Sequence, residues 1–359
     1  MRHIIGAGQK PPGRVEPITK VHKAAAPLPT HAPPAAPAAA AQARLLSVDE
    51  NGAGQRLDNF LIKVLKGAPK TLVYRIIRSG EVRVNKGRAQ ADTRLTEGDV
   101  LRIPPLRLSE PDTAAAAAVP AREFAVLYED EHLLAIDKPA GVAVHGGSGV
   151  SFGVIEQLRR ARPQAKLLEL VHRLDKETSG ILLIAKKRSA LTALQEQFRQ
   201  RETGKTYAAL AIGEWPNSVK VIDVALHKYL DAAGERRVRA VANDDADGRR
   251  SISVVKVVER LSGYSLLDVT IKTGRTHQIR VHLQQAGHPI VGDDKYGDFS
   301  LNKTLARGQA VTGQRFERMF LHARHLAFDH PATGERITLA APLPADCATL
   351  LAALRCTTP

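Results

Sequence analysis

The chain has 359 residues, with 52 Lys and Arg against 37 Asp and Glu and a formal net charge of +15. That length fits two domains or three short ones, no apolar run approaches the roughly 18–20 residues of a membrane span, and no signal-like apolar segment follows the basic start. Two cysteines, Cys347 and Cys356, exclude a disulfide scaffold and a thiolate-rich metal site, so the composition describes a basic protein of a reducing compartment whose expected partner is a polyanion, nucleic acid first.

Residues 1–45 carry Pro and Ala in runs such as Ala32-Pro33-Pro34-Ala35-Ala36-Pro37. Prolines at that density prevent helix, and there is too little apolar bulk to offset the entropy of ordering. The stretch reads as a disordered tail. A transit peptide is the alternative, against which stand the absence of Ser before Ser47 and of any amphipathic period. A second Ala-rich stretch, within 107–122, reads as a linker.

Between them, residues 55–106 form a compact unit. Leu57, Phe60, Leu61, Val64 and Leu65 fall at helical spacing, and Leu72, Val73, Ile76 and Ile77 repeat it behind Pro69, with Gly80 as terminator. Val82-Arg83-Val84 alternates as a strand, Asn85-Lys86-Gly87 turns, and the segment Leu95–Ile103 returns. From Gln55 to Pro104 there are eleven basic and five acidic residues, a density suited to phosphate backbone, though a solvated helical surface reads the same way. The unit resembles the S4 RNA-binding module, a small helix–helix–strand fold. Its R-L-D-N-F start is matched at Arg56, its K-G-x-P-K at Lys66 and Lys70, its Y-R-I-x-R at Arg75 and Arg78, and its G-E-V-R-V-N-K at Arg83, Asn85 and Lys86. The resemblance makes these eight the RNA-contact candidates. Lys63, Arg88, Arg94 and Arg102 have no motif match and stay outside that set.

From about Phe124 the pattern alternates between α and β, over residues 123–357. Val126–Tyr128 and Leu133–Ile136 read as strands. The loop Gly146-Gly147-Ser148-Gly149 lacks the G-K-[S/T] of a phosphate-binding loop. Ile181–Ala185 reads as a buried strand, and the polar residues His172 to Ser179 as a loop leading into it. Asp175 beside Arg173 is a carboxylate that a guanidinium keeps ionised, fit to act as nucleophile or base; a structural Arg–Asp pair is the other reading. Ser179 has no G-x-S-x-G frame, and neither His277 with His282 nor His322 with His325 has a metal-ligand spacing. Tyr207 lies on a strand, and Thr273–Leu283 reads as a basic strand entering a helix or loop.

Taken together, His172–Gly180 (H-R-L-D-x-x-T-S-G), Lys205–Leu210 (K-x-Y-x-A-L), Gly274–His282 (G-R-T-H-Q-I-R-V-H), Asp137–Gly141 and Gly287–Asp293 (G-H-P-I-x-x-D) resemble the pseudouridine synthases that modify large ribosomal RNA. The resemblance implies an α/β (α+β) chain, an S4-type module followed by a mixed-sheet catalytic domain. It also implies isomerisation of 23S rRNA uridines by cleaving and re-forming the base–sugar bond of a flipped-out nucleotide. Asp175 then matches the catalytic aspartate, Tyr207 the tyrosine that packs on the flipped base, Arg280 the basic residue that pairs with the aspartate (Arg275 being the alternate), and Arg173 the arginine that helps hold the RNA open. It implies no cofactor or metal, 23S rRNA or a precursor large subunit as partner, no membrane, and a monomeric, cytoplasmic enzyme. A noncatalytic rRNA-binding assembly factor is the rival reading, and a metal-dependent nuclease would need acidic clusters that are not seen.

Overall fold

The computed structural model describes residues 43–65, 67–106, 119–147, 152–232, 234–310 and 313–357. The predicted tail up to residue 42, most of the predicted linker, and Lys66 lie outside the described residues.

The first module is two helices on a small sheet. Helix α1 (Leu57–Val64) buries Leu57, Phe60 and Leu61, and α2 (Lys70–Arg78) buries Val73, Ile76 and Ile77. These meet Leu101 and Ile103 of β4 (Val100–Ile103) in one core, each side chain contributing about 1.5–3 kcal/mol of burial. Pro69 sits at the N-cap of α2, and Gly80, with φ +75°, follows its end. Strand β1 (Arg44–Ser47) runs antiparallel to β4, which also pairs with β2 (Arg83–Val84), and β2 pairs with β3 (Gly87–Arg88). Arg44 and Leu45 were assigned to the tail from sequence; they form the first half of β1, because β4 offers an edge that their backbone groups satisfy. The β2–β3 hairpin turns on Asn85 and Lys86, at φ 49° and 69°, the left-handed pair a two-residue hairpin demands.

The catalytic half is built on a ten-stranded sheet. Its strands in chain order are β5 (Val126–Glu129), β6 (Leu133–Lys138), β7 (Glu169–Leu170), β8 (Ser179–Ala185), β9 (Gly204–Ile212), β10 (Val221–Asp223), β13 (Ile252–Leu261), β14 (Tyr264–Ile271), β15 (Leu321–Asp329) and β16 (Arg336–Ala340). The path across it is β10-β13-β14-β9-β15-β8-β6-β5, with β16 beside β15 and β7 beside β8. β15 runs parallel to β8 and antiparallel to β9, so the sheet is mixed. Strands β11 (Ala225–Leu230) and β12 (Arg236–Val241) form a separate hairpin.

Every residue of β8 is buried, as expected of a strand covered on both faces. Its alternation sends Ile181 and Leu183 toward α4 (Arg188–Gln200), with Leu191 and Leu194, and Leu182 and Ile184 toward α3 (Val154–Ala161), with Leu158. Gly180, at φ +108°, is where β8 touches β15: a Cβ there would lie 2.3 Å from the Ala323 carbonyl oxygen. Of the sequence reading of Thr273–Leu283 as a strand entering a helix or loop, the loop and helix are present but the strand is not. β14 ends at Ile271, and after a loop the chain enters α5 (Gln278–Gln285). Thr273 Oγ1 donates to Gln278 Oε1 (2.7 Å), and that oxygen also accepts the Arg275 N–H (3.1 Å), which ties the loop to the helix start. Helices α6 (Phe299–Ala306) and α7 (Ala345–Thr357) complete the fold, the latter burying Leu350, Leu351 and Leu354 against the core that holds Trp215.

Candidate active site

The loop before β8, the strand β9 and the loop before α5 meet at a cleft of about 110 Å³. It is small beside the roughly 300–1,000 Å³ of drug-sized pockets. Arg173, Asp175, Thr178, Tyr207, Arg275 and His277 are among its walls. Of the predicted catalytic set, the fold therefore brings Arg173, Asp175 and Tyr207 to one cavity.

The H-R-L-D loop is positioned from both sides. His172 points away from Asp175: its Nε2 accepts the Leu183 N–H (3.1 Å) and its ring stacks on Phe198 at 4.7 Å. Burial pushes its pKa down to about 3, helped by Lys205, so it is a neutral structural acceptor. Lys138, at the end of β6, is fully buried and donates from Nζ to the carbonyls of Pro139 (2.8 Å), Val142 (2.8 Å) and Lys176 (3.1 Å). Burial lowers its pKa to about 7, and the ammonium form is the one with three N–H groups for three carbonyls. Lys138 thus ties the residue after Asp175 to the D-K-P-A-G turn.

Asp175 is partly exposed in the cleft. Its ion-pair partner among the described residues is His277, with Nε2 3.9 Å from Oδ2. Arg173 stands exposed on the cleft wall and closes no ion pair on Asp175 among the described residues, so the simple Arg–Asp pair read from the sequence does not form. His277 Nδ1 lies 2.8 Å from the Tyr296 hydroxyl, which accepts the Val238 N–H (3.0 Å). With that hydroxyl proton directed to Nδ1, the neutral imidazole carries its own proton on Nε2, toward Asp175. His277 adopts a left-handed backbone, φ +54°, just before α5. Burial lowers its pKa, opposed by Asp175.

Arg280 was expected to pair with Asp175. Its partners are instead Asp293 (Nε to Oδ2 2.7 Å, Nη2 to Oδ1 2.6 Å) and Asp294 (2.9 Å), and its guanidinium lies 5.1 Å from the Tyr296 ring centroid. The reason is local: the turn after Ile290 folds Asp293 under α5, where its carboxylate also accepts the N–H groups of Lys295 (2.8 Å) and Tyr296 (2.9 Å). Burial works against both charges, but the mutual bonds hold Arg280 above and Asp293 below their ordinary values. Asp175 adds a longer-range attraction. Arg280 therefore lies in a buried ion pair behind the cleft and is not part of its wall.

Tyr207 projects from β9 toward Asp175. Burial and the Asp175 charge push its pKa up, so it is a neutral phenol that holds its proton tightly, suited to packing on a base. Ser179 makes a different arrangement: its Oγ lies 2.9 Å from His322 Nδ1 and accepts from Arg318 Nη2 (2.6 Å), with Ser179 and His322 buried and Arg318 partly exposed. His282 is bonded to Ser253 Oγ (3.0 Å) and the Val224 carbonyl (3.1 Å). Outside the cleft, His227, Asp245 and Asp247 bring one ligand atom each within 4.8 Å of one another, the two aspartates exposed.

The predicted RNA-contact residues divide into two groups. Lys70, Arg75 and Arg78 are exposed on α2. Arg83, Asn85 and Lys86 share a concave face of the small sheet with Arg102. Two of the set are already engaged. Arg56 forks onto Asp58 (3.2 and 2.8 Å). The Asn85 amide donates to Asp99 (2.7 Å) and accepts the Val100 N–H (2.8 Å), so it serves its turn.

Two family models match the chain: "RNA pseudouridylate synthase" over residues 132–285 and "S4 domain" over residues 55–101. Among curated proteins, the chain is 48% identical over 316 residues to "Ribosomal large subunit pseudouridine synthase C" of Pasteurella multocida, covering 87% of this chain and 94% of that one. The chain belongs to the RNA pseudouridylate synthase family. To the protein of the same name from Escherichia coli K12 the synthase is 49% identical over 304 residues, 84% of this chain and 93% of that one. Among solved structures, "Human RNA Pseudouridylate Synthase Domain Containing 4" superposes with a TM-score of 0.53 at 28% identity, covering 64% of this synthase and 93% of that chain. The mixed sheet and the S4 module expected from the sequence are thus both present. His277, Tyr296, Asp293 and Lys138 are the site residues whose roles the sequence reading missed; Lys138, His277 and Asp293 stand inside the quoted motifs, but their partners are not encoded there.

Proposed function

We propose that this synthase isomerises specific uridines of 23S ribosomal RNA to pseudouridine, with Asp175, Tyr207, Arg173 and Arg280 as the residues that carry the reaction. The observation that carries the reading is Asp175 in a small cleft against a neutral Tyr207, with Arg173 on the same wall. The names of the relatives and the basic S4 module support ribosomal RNA as the substrate.

A uridine stacked in RNA hides both C1′ and C5, so it must be extruded, and contacts must recover a few kcal/mol of unstacking. Arg173 and Arg275 at the cleft offer charge and planar surface for that. Asp175 assists cleavage of the N1–C1′ bond, acting on the sugar; the base turns in the cleft and C5 bonds to C1′. The C5 proton leaves and N1 takes one up, so the sum is an isomerisation with no change in composition. Tyr207, a neutral phenol, packs on the turning base and relays that proton. Lys70, Arg75, Arg78, Arg83 and Lys86 hold the phosphate backbone away from the cleft; Lys66, outside the described residues, is proposed with them on its motif alone. We place the enzyme in the cytoplasm as a monomer with the rRNA or a precursor large subunit as partner; no helix among the described residues is long and apolar enough to cross a membrane.

The test is release of tritium from 23S rRNA transcript labelled at uridine C5. Wild type should release it and Asp175→Ala should not. Release by neither, on transcript and on precursor particles alike, sinks the reading in favour of an rRNA-binding factor without catalysis.

A further inference from the structure

Glu169 of β7 stands where the small module meets the catalytic half, surrounded by cations. Its Oε1 accepts from Lys63 Nζ of α1 (3.1 Å) and its Oε2 forms an ion pair with Arg159 Nη2 of α3 (3.0 Å). Arg188, the first residue of α4, is drawn by the same carboxylate, and Arg94 of the small module lies near enough to repel it. Arg159 is also spent on the Leu168 carbonyl (2.9 and 2.6 Å). The Arg188 Nε is buried and has no hydrogen-bond partner. An orphaned guanidinium N–H is unfavourable, and the side chain that carries it is only partly buried. α4 starts there with no side-chain cap and no acidic residue in its first turn, so its free N–H groups add to the positive field.

Four cations against one carboxylate leave this seam three charges positive. None of Lys63, Arg94, Arg159 and Arg188 is among the residues that any motif assigns to RNA. We propose that this seam is a binding site for a backbone phosphate of the RNA, in which Lys63, Arg94 and Arg188 take the phosphodiester and Glu169 holds its place until RNA arrives. Both modules contribute, so one phosphate group registers the S4 module against the catalytic cleft. The proposal rests on the reading of the chain as an rRNA-acting enzyme.

The two roles of Glu169 predict opposite signs. If it only clamps the modules, removing its charge weakens RNA binding or leaves it unchanged. If it occupies a phosphate site, removing its charge strengthens binding. Filter retention of 23S rRNA transcript on the full chain, between about 50 and 200 mM salt, reads both affinity and the salt slope. Glu169→Gln should bind roughly two- to fivefold more tightly at the low-salt end, the worth of an exposed ion pair. Lys63→Gln/Arg188→Gln should flatten the slope by about 0.7–0.9, the loss of one phosphate contact. Arg199→Gln, at the far end of α4 and paired with Glu196, should do neither. An unchanged slope in the double variant, or weaker or unchanged binding by Glu169→Gln, overturns the proposal. Should the double variant fail to fold in a thermal melt, Glu169→Gln alone decides. Retention does not depend on turnover: tritium release with an unaltered slope refutes only the seam, whereas an altered slope without release refutes only the synthase activity.

Discussion

Replacing Asp293 by Asn tests the anchor beneath the cleft. Arg280 is 3% exposed and Asp293 fully buried, so a guanidinium that loses its partner cannot rehydrate. Asn keeps the shape and one oxygen for the N–H groups of Lys295 and Tyr296, but removes the charge facing two guanidinium donors at 2.7 and 2.6 Å. Breaking a buried pair from one side costs about 3–5 kcal/mol. Asp294, whose side chain is 62% exposed, offsets no more than a surface pair does, about 0.2–1 kcal/mol. The expected loss is therefore roughly 2–5 kcal/mol. The single tryptophan, Trp215, lies in the same core as Ile279, Leu283, Ile290 and Val291 around this anchor, so its fluorescence follows the relevant transition in urea. With a slope near 3 kcal/mol per molar, the midpoint should fall by about 1 M. The double variant Arg280→Met/Asp293→Leu should recover most of that loss, since no charge is left unpaired. A loss below about 1 kcal/mol in Asp293→Asn, or a double variant no more stable than the single, would refute the reasoning, because the pair would then be solvated.

Three further outcomes are expected. His277→Ala should lower kcat about 10- to 100-fold through misplacement of Asp175 while leaving KM nearly unchanged; a KM effect alone would make His277 a binding residue. Lys138→Met leaves the carbonyls of Pro139, Val142 and Lys176 without their donor, at about 2–4 kcal/mol in urea unfolding, and should depress kcat; a stable, fully active variant would disconnect Lys138 from the catalytic loop. At Asp130 burial raises the pKa, but the N–H groups of Leu133 and His132, with His330 and Tyr128, prevail and hold it at about 2. A depressed carboxyl stabilises the fold above its ordinary value of 3.8 and loses that contribution as pH falls toward 2, about 2 kcal/mol in all. Asp130→Asn should melt lower at neutral pH and lose the steep acid fall of the wild type; equal slopes would rule the linkage out.

What the sequence made legible was whatever repeats locally. The helices of the small module follow from apolar spacing, and β8 from an aliphatic run that has to be covered on both faces. Motif resemblance brought Asp175, Tyr207 and Arg173 to one cleft. What was missed is in each case a partner distant in sequence or a backbone that side-chain pattern does not encode. Asn85 has the amide of an RNA contact, yet a left-handed turn consumes that amide at home. Arg280 has the charge to pair with Asp175, yet a turn thirteen residues on brings a better-buried carboxylate to it. Lysines are among the residues least often fully buried, so nothing in the D-K-P-A-G segment pointed to Lys138 beneath the catalytic loop. These partners share a consequence for the chemistry. Among the described residues Asp175 is kept partly exposed with a histidine at 3.9 Å as its ion-pair partner, while the strong ion pair is spent one layer further back. A carboxylate locked into a bidentate pair with arginine would have its oxygens occupied by N–H donors. Moving that pair to Asp293 leaves the Asp175 oxygens without a guanidinium on them, open to meet the sugar.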